Sequence, residues 1–303
     1  MKIGLIDCEK GKYPNLALMK ISAFHKQKGD EVEWYTPFTD QYDVVFISKV
    51  FSFTPDYDLC VNAKVVVKGG TGYDISLKNG REVYFKGQDL PPHIEHIYPD
   101  YSLYNIQDTA YGFLSRGCMR GCDFCIVAKK EGKPTKVADL SEFWRGQKNI
   151  VLYDPNILAC SEWRNLLSQI AESKAWVDFN QGLDIRLMTK EKIDYLNRCK
   201  MKEVHFAWDR YNEGDVILDK LALFAEHGRF SPHSHNAIVY TIVNFDTTYE
   251  QDLERIYTLR KMGYWAYVMI YNKEHCDKKY RRLQRWCNNR AIFAKCEKFE
   301  DYT

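Results

Sequence analysis

Residues 115–126 read SRGCMRGCDFCI and are the most informative segment of the sequence. It follows the apolar, strand-like run AYGFL at residues 110–114. Three cysteines, Cys118, Cys122 and Cys125, have the spacing C-x3-C-x2-C. Thiolates are soft ligands for iron–sulfur clusters, zinc or copper(I), and the neighbouring glycines allow a short loop to bring them together. The spacing therefore predicts a metal-binding loop directly after a strand.

The number of cysteines in this loop favours one kind of metal centre. Structural zinc sites normally take four protein ligands, and the chain has no second C-x-x-C pair to supply the fourth. A disulfide would use two thiols and leave the third unused. Three ligands with an open fourth position fit a [4Fe–4S] cluster that leaves one iron for a small molecule. A structural metal knuckle or a chance triplet is the alternative.

The loop also resembles the signature of a known superfamily. Cys118, Cys122, Phe124 and Cys125 match the pattern C-x3-C-x-aromatic-C of the radical S-adenosylmethionine (SAM) enzymes. The resemblance implies that the three cysteines hold the catalytic [4Fe–4S] cluster and that its open iron binds SAM. One electron then splits SAM into methionine and a 5′-deoxyadenosyl radical, which abstracts hydrogen from a substrate. An electron donor such as flavodoxin or ferredoxin is implied as a partner.

Strand and helix signals alternate six times after residue 110. Helices are predicted at 136–147, 160–173, 189–199, 214–227, 248–262 and 278–293, each after a short apolar strand. Six such units predict an α/β fold with a partial (β/α)6 TIM-like barrel over residues 110–275, the architecture that the radical SAM resemblance implies. Residues 276–303 are expected to add a basic helix that packs on this barrel.

A smaller parallel sheet is predicted ahead of the barrel. Strands at 2–7, 32–35, 44–48 and 64–68 with a helix at 15–28 indicate a small doubly wound, flavodoxin- or Rossmann-like domain in residues 1–75. Residues 76–109 are predicted to be a linker with a β-hairpin that turns at 78–81.

This small domain resembles the cobalamin-binding domain that many radical SAM enzymes carry. Ser48 and Gly69-Gly70 match its Ser-x-Leu and Gly-Gly elements in position, and the glycine run at 69–72 could approach a phosphate or simply form a turn. The loop at 7–12 has no histidine to ligate cobalt. We therefore expect a shortened, vestigial relative, with bound cobalamin as the less favoured outcome.

Polar residues at strand ends are the candidates for binding SAM, because ligands of parallel α/β folds gather at the carboxyl ends of strands. By the family resemblance, Asp154 and Asn156 would contact the amino group of SAM and Asn244 its ribose. Helix capping is the alternative for both regions, with Asp246 or Thr247 as the cap in the second.

The third barrel strand ends in a second group of candidates. Gln181 and Asp184 could hold hydroxyl groups, and Arg186 could bind a carboxylate of SAM or of substrate. An Asp184–Arg186 surface ion pair is the alternative. We expect His205 to be a core or cavity-wall residue, and a metal pair at His233 and His235 is disfavoured.

Composition limits the partners. A 45% hydrophobic content predicts a packed core, and the net charge of +2 gives no general attraction for polyanions. No apolar run reaches the roughly 18 residues of a membrane span, and cysteines scattered in apolar contexts suit reduced cytoplasm. Residues 273–298 nevertheless contain nine Lys or Arg against three Asp or Glu. On the expected C-terminal helix these basic residues would form the outer face, which could hold RNA phosphates or could simply be solvated.

These patterns together predict a cytoplasmic, non-membrane radical SAM enzyme. RNA or tRNA modification, by methylation or methylthiolation, is the first expectation for its reaction. Radical SAM chemistry on a peptide or small molecule is one alternative. The other is a non-catalytic, metal-containing nucleic-acid-binding protein.

Overall fold

The computed structural model describes residues 1–38, 41–78, 81–85, 87, 89–230 and 236–302. The chain divides into two compact units. The first comprises Met1–Lys133 and Val137–Ile150, and the second comprises Pro134–Lys136 and Val151–Thr303. No helix in the described ranges combines the length and the apolar character that crossing a membrane requires. The domain boundaries expected from the sequence stay a prediction.

A four-stranded parallel sheet forms the start of the first unit. Its strands are β1 (Lys2–Asp7), β2 (Glu31–Trp34), β3 (Tyr42–Ser48) and β4 (Ala63–Gly69), in the order β2-β1-β3-β4. Ile3 and Leu5 of β1 are two positions apart and therefore point to the same face of the sheet. They form one core with Leu18 and Ile21 of helix α1 (Leu16–Gln27). The small parallel sheet predicted here is confirmed.

The sheet differs from a complete doubly wound fold in its connections. Its strand order is that of flavodoxin-like sheets. Within the described part of residues 1–75, however, α1 is the sole α-helix, so β2, β3 and β4 are joined by irregular segments. Pro55 lies in the β3–β4 connection and disfavours a helix there.

The remainder of the first unit leads to the cysteine loop. Strands β5 (Ile75–Lys78) and β6 (Arg81–Tyr84) pair antiparallel, which confirms the hairpin, although its turn residues 79–80 lie outside the described ranges. Then come α2 (Pro92–Glu95), β7 (Thr109–Gly112), β8 (Ser115–Arg116) and α3 (Val127–Glu131). Helix α3, which directly follows the cysteines, was not predicted from the sequence.

The helix predicted at 136–147 is wrong. Only a 3-10 turn, Leu140–Glu142, forms there. The backbone N–H groups of Val137 and Ala138 donate to the carbonyl of Leu114 at 2.8 and 3.3 Å, so the first residues of the segment are hydrogen-bonded to the residue that precedes β8. Phe143 is buried directly over Gly112. These tertiary contacts outweigh the weak helical preference of the apolar spacing.

Strands and helices alternate through the second unit. After β9 (Thr135–Lys136), β10 (Asn149–Leu152) crosses the division between units. The elements that follow are α4 (Trp163–Ser173), β11 (Trp176–Phe179), α5 (Lys190–Arg198), β12 (Val204–Ala207), α6 (Gly214–His227), β13 (Ala237–Val243), α7 (Tyr249–Lys261), β14 (Trp265–Ile270), α8 (Lys278–Asn288) and α9 (Arg290–Lys295). The β-α alternation predicted from residue 149 onward is confirmed.

Neighbouring strands of this unit follow the chain order. β12, β13 and β14 form a parallel sheet. β11 adjoins β12, because the N–H groups of Val177 and Leu183 donate to the carbonyls of Lys200 and His205, both at 2.8 Å. The N–H of Asn180 reaches the carbonyl of Leu152 at 3.1 Å. The carboxyl ends of successive strands therefore lie along one edge of the second unit.

The single helix predicted at 278–293 is two helices. They part at Asn289, whose side chain accepts the N–H of Ile292 at 3.1 Å and so caps α9. Helix α8 packs against β14, where the Asn288 side chain bonds both the N–H and the carbonyl of Val268. Trp286 of the same helix is fully buried.

Candidate functional site

The base of the cysteine loop is closed by the end of α3. The N–H of Gly117 donates to Oε2 of Glu131 at 3.1 Å, and Arg116 Nη1 donates to Oε1 at 3.3 Å. The N–H of Cys118 reaches the carbonyl of Gly132 at 3.0 Å. Both ends of the loop are thereby held together, so the positions of the thiols depend on one carboxylate and one short helix.

Gly117 is required at this base. Its φ is +91°, and a Cβ there would lie 2.4 Å from the carbonyl oxygen of Lys133. Gly121, in the middle of the loop, has nothing within 4 Å of an added Cβ. The two glycines therefore have different roles: the first permits a close backbone approach, and the second leaves open space beside the cysteines.

The thiols of Cys118, Cys122 and Cys125 are all half-buried. Sγ of Cys118 accepts the backbone N–H of Arg120 at 3.4 Å, and the N–H of Cys125 donates to the carbonyl of Cys122 at 3.0 Å. Hydrogen bonds from N–H to a ligating sulfur are among the contacts that tune iron–sulfur clusters. Phe124 is half-buried within the same loop.

The fit of this loop to a metal centre depends on the kind of centre. Across the described residues, no three His, Cys, Asp or Glu side chains form a group that could hold a metal ion. In a cubane the iron atoms occupy separate corners, so thiolates that hold it stay farther apart than the ligands of one ion. Three soft donors within one short loop, with an N–H directed at one sulfur, fit a [4Fe–4S] cluster by the chemistry of the donor set.

Three of the predicted strand-end residues meet in the second unit. Asn156 Nδ2 donates to Asp184 Oδ2 at 3.2 Å, and Arg186 Nε donates to Asp184 Oδ1 at 2.7 Å. The Asp184 side chain is 5% exposed and that of Arg186 is 20% exposed, so the pair is mostly buried. The Asp184–Arg186 ion pair that was considered as an alternative does form, but it is mostly buried and does not lie on the surface.

A fourth member of this network was missed in the sequence. Glu213, in the loop after β12, accepts Arg186 Nη1 at 2.6 Å. Burial opposes the charge of Arg186, but the contacts with Asp184 and Glu213 outweigh it and raise the pKa of the guanidinium. The acidic residue just before Gly214 was the available signal, since it also lies at a strand end. The network thus joins the loops that follow three successive strands.

The other strand-end candidates are placed differently. Asp154 is buried two residues before Asn156, whereas Gln181 is exposed and makes no hydrogen bond to the residues that the structure describes. Asn244 has a φ of +63°, and its Nδ2 donates to the carbonyl of Tyr271 at 3.0 Å. The cap of α7 is Thr248, which accepts the N–H of Gln251 at 3.3 Å.

A buried arginine, also missed, stabilises the ends of β12 and β13. Arg255 donates to the carbonyls of Trp208 and Ile242, both at 2.6 Å, and pairs with Asp252. Asp209 lies beside it, and burial raises the pKa of the Asp209 carboxyl to about 6 although it accepts the N–H of Ile242. The three-residue spacing of Asp252 and Arg255 on one helix was the only sequence signal.

The glycines after β4 are accounted for by packing. A Cβ on Gly70 would lie 2.4 Å from the carbonyl of Lys49, and one on Gly72 would lie 2.6 Å from that of Phe51. Ser48 Oγ accepts Asn15 Nδ2 at 2.8 Å, and both residues are buried. The histidine pair at 233 and 235 lies outside the described residues.

The basic tail has two distinct sides. Its apolar residues Leu283 and Trp286 are fully buried. Its basic residues are all exposed: Lys273, Lys278, Lys279, Arg281, Arg282, Arg285, Arg290, Lys295 and Lys298. Arg290 pairs with Glu203 at 3.0 Å.

No known family model matches the chain, and no curated protein matches its sequence.

Proposed function

We propose that this chain is a radical SAM enzyme in which Cys118, Cys122 and Cys125 hold a [4Fe–4S] cluster. The observation that carries the proposal is the C-x3-C-x-Phe-C loop, whose base Gly117 and Glu131 close. The β-α alternation from β10 to β14 supports it, and we propose that these elements belong to a partial (β/α)6 barrel of the radical SAM type.

The bound cluster would supply an electron that splits SAM and yields a 5′-deoxyadenosyl radical for hydrogen abstraction. The chain's own part is to position the thiols and limit access to them. Glu131 keeps the two ends of the loop together, and the N–H of Arg120 withdraws charge from the Cys118 sulfur. Half-burial of the three cysteines and Phe124 reduces their contact with water.

The strand-end network would orient SAM or substrate. Nε and Nη1 of Arg186 are used by Asp184 and Glu213, while Nη2 makes no hydrogen bond to the described residues. That nitrogen is available for a carboxylate, and the two acidic partners hold the guanidinium in one orientation. The Asn244 amide nitrogen is used by Tyr271, so a contact with the SAM ribose would come from its Oδ1.

RNA is the substrate class that we propose for this enzyme. The tail exposes nine basic side chains, and its apolar residues Leu283 and Trp286 are buried in the protein. No apolar side of α8 is therefore left to enter a lipid surface, whereas the exposed cations suit phosphates. Flavodoxin or ferredoxin is proposed as the electron donor.

The test is an anaerobic assay of the iron-loaded protein with SAM and dithionite. We expect 5′-deoxyadenosine to form only with reductant present and to be lost in Cys122→Ser. Cys276→Ser is the matched control, because this half-buried thiol lies outside the loop. Absence of 5′-deoxyadenosine from the iron-loaded protein would contradict the proposal.

A further inference from the structure

One face of the second unit carries a row of ring-bearing and acidic side chains that the proposed chemistry does not use. In the register of the parallel sheet, His205 lies opposite Ile238, and Tyr240 lies opposite Tyr267. Residues of one strand that are two apart point to the same face, so His205, Tyr240 and Tyr267 share it. Asp178 of β11 lies on the side opposite the buried Val177 and Phe179 and acts electrostatically on His205 and Tyr240.

The rings of this row are in contact. The His205 and Tyr240 rings lie 5.2 Å apart at an interplanar angle of 29°, and the Tyr240 and Tyr267 rings lie 5.5 Å apart at 74°. Asp178, Tyr240 and Tyr267 are half-buried rather than covered. The row therefore presents a partly open aromatic wall, against which a flat ring can stack.

The polar groups on this wall are not all paired. The Asp178 carboxylate and the hydroxyls of Tyr240 and Tyr267 make no hydrogen bond to the residues that the structure describes. Partial burial raises the pKa of the Asp178 carboxyl, and it raises the pKa of Tyr240 to about 12. Glu203, by contrast, pairs with Arg290 at 3.0 Å and lies within hydrogen-bond distance of the His205 ring at 3.1 Å. One carboxylate is thus left as an acceptor beside the rings.

We infer that Asp178, His205, Tyr240 and Tyr267 bind a flat heteroaromatic ring of the substrate that carries N–H donors, such as an aminated nucleobase. The ring would stack on the tyrosines and donate to the Asp178 carboxylate. A ring with two neighbouring N–H groups, as on the edge of guanine, can donate both to one carboxylate. The inference rests on the proposed function, because it takes the ring to belong to the substrate and not to SAM.

Binding can be measured without catalysis. Equilibrium dialysis with the iron-loaded full chain, without reductant, would compare guanosine with uridine, whose edge carries a single N–H between two carbonyls. We expect guanosine to bind at least roughly tenfold more tightly, because a carboxylate repels the carbonyl oxygens of uridine. Asp178→Asn should weaken guanosine binding roughly tenfold, whereas it should not weaken uridine binding, because it removes the repulsion of the uridine carbonyls. Asp194→Asn, which changes an exposed acid on α5, is the matched control and should alter neither.

Further measurements show whether the bound ring comes from RNA or from a free nucleoside, and which results overturn the inference. A trinucleotide RNA with a central guanosine binding more tightly than free guanosine would support a ring presented by RNA, and the reverse would support a free nucleoside. Displacement of guanosine by S-adenosylhomocysteine would overturn the inference, since the wall would then belong to SAM. Equal binding of guanosine by the wild type and Asp178→Asn would also overturn it. None of these results depends on 5′-deoxyadenosine release, so the proposed function fails or stands separately.

Discussion

Substituting Gly117 by alanine tests whether the closed base of the cysteine loop positions the thiols. The new Cβ would lie 2.4 Å from the Lys133 carbonyl oxygen and 2.6 Å from its carbon, with the Gly132 oxygen at 2.8 Å. All three are backbone atoms, which cannot rotate away as a side chain does. Ordinary contacts of a Cβ begin at 3.4 Å, so the backbone at 117 or at 132–133 must move.

The cost of Gly117→Ala has two parts. Holding alanine at a positive φ costs about 1–2 kcal/mol. Relieving the clash by backbone movement costs about 1–3 kcal/mol more, as overpacking does in cores. The substitution should therefore lower the free energy of unfolding of the first unit by about 3 kcal/mol and disturb the hydrogen bonds of Gly117 and Cys118.

Two neighbouring glycines provide graded controls. Gly132 has a φ of +72° and a ψ of −143°, which other residues rarely adopt, but nothing lies within 4 Å of an added Cβ, so Gly132→Ala should cost only the conformational term of about 1–3 kcal/mol. Gly121 has open space and should tolerate alanine to within about 0.5 kcal/mol. The assay is iron retained per chain after anaerobic reconstitution and gel filtration, with urea unfolding followed in parallel. Equal iron retention by Gly117→Ala and Gly121→Ala would show that the closed base of the loop does not position the thiols.

Three further predictions concern the second unit. Asp184→Asn should lower the unfolding free energy by about 2 kcal/mol, because it leaves Arg186 with one charged partner; the exposed Asp194→Asn is the control, and equal urea midpoints would contradict it. The pKa of Asp209 is raised in the folded state to about 6 from 3.8, so its ionisation should reduce stability by up to about 3 kcal/mol as pH rises through that interval. Asp209→Asn should remove this fall, and an unchanged pH profile of urea unfolding would count against it. Changing Lys278, Arg281 and Arg285 to Gln should weaken RNA binding and reduce the slope of log affinity against log salt by about 2–3. As the control, Gln at the exposed Lys190, Lys200 and Lys202 should change neither quantity. The same slope in both triple variants would show that α8 does not contact RNA.

Strong periodic patterns in the sequence were sufficient to predict much of the fold. β1 has the predicted bounds, and α6 begins and ends where its apolar spacing indicates. β1 is a short apolar run bounded by Lys2 and Asp7, and the buried residues of α6, Ile217, Leu221 and Phe224, recur every three or four positions, so local preference and tertiary packing agree in these elements. The prediction of a helix at 136–147 was wrong because this segment is held by hydrogen bonds to the Leu114 carbonyl and by packing of Phe143 over Gly112. Neither contact can be recognised from the sequence of the segment itself.

The candidate site was predictable in its residue types but not in its contacts. The spacing of the three cysteines is local, so sequence alone marks the loop. That Glu131 closes its base depends on α3, a five-residue helix too short to show a period. Glu213 and Arg255 were missed for a related reason, because each contacts a residue distant in the chain: Arg186, 27 positions from Glu213, and Ile242, 13 positions from Arg255. Pairing across separate strand ends becomes visible only once the strand order is known.

In the proposed enzyme, three cysteines hold a cubane whose remaining iron binds SAM. Electron paramagnetic resonance of the anaerobically reduced protein, with and without SAM, distinguishes this arrangement from a closed cluster and from zinc. We predict about four irons per chain and a cluster signal that changes when SAM is added. A signal that SAM leaves unaltered in a protein containing four irons, or a colourless protein whose loop holds zinc, would rule out the proposed centre.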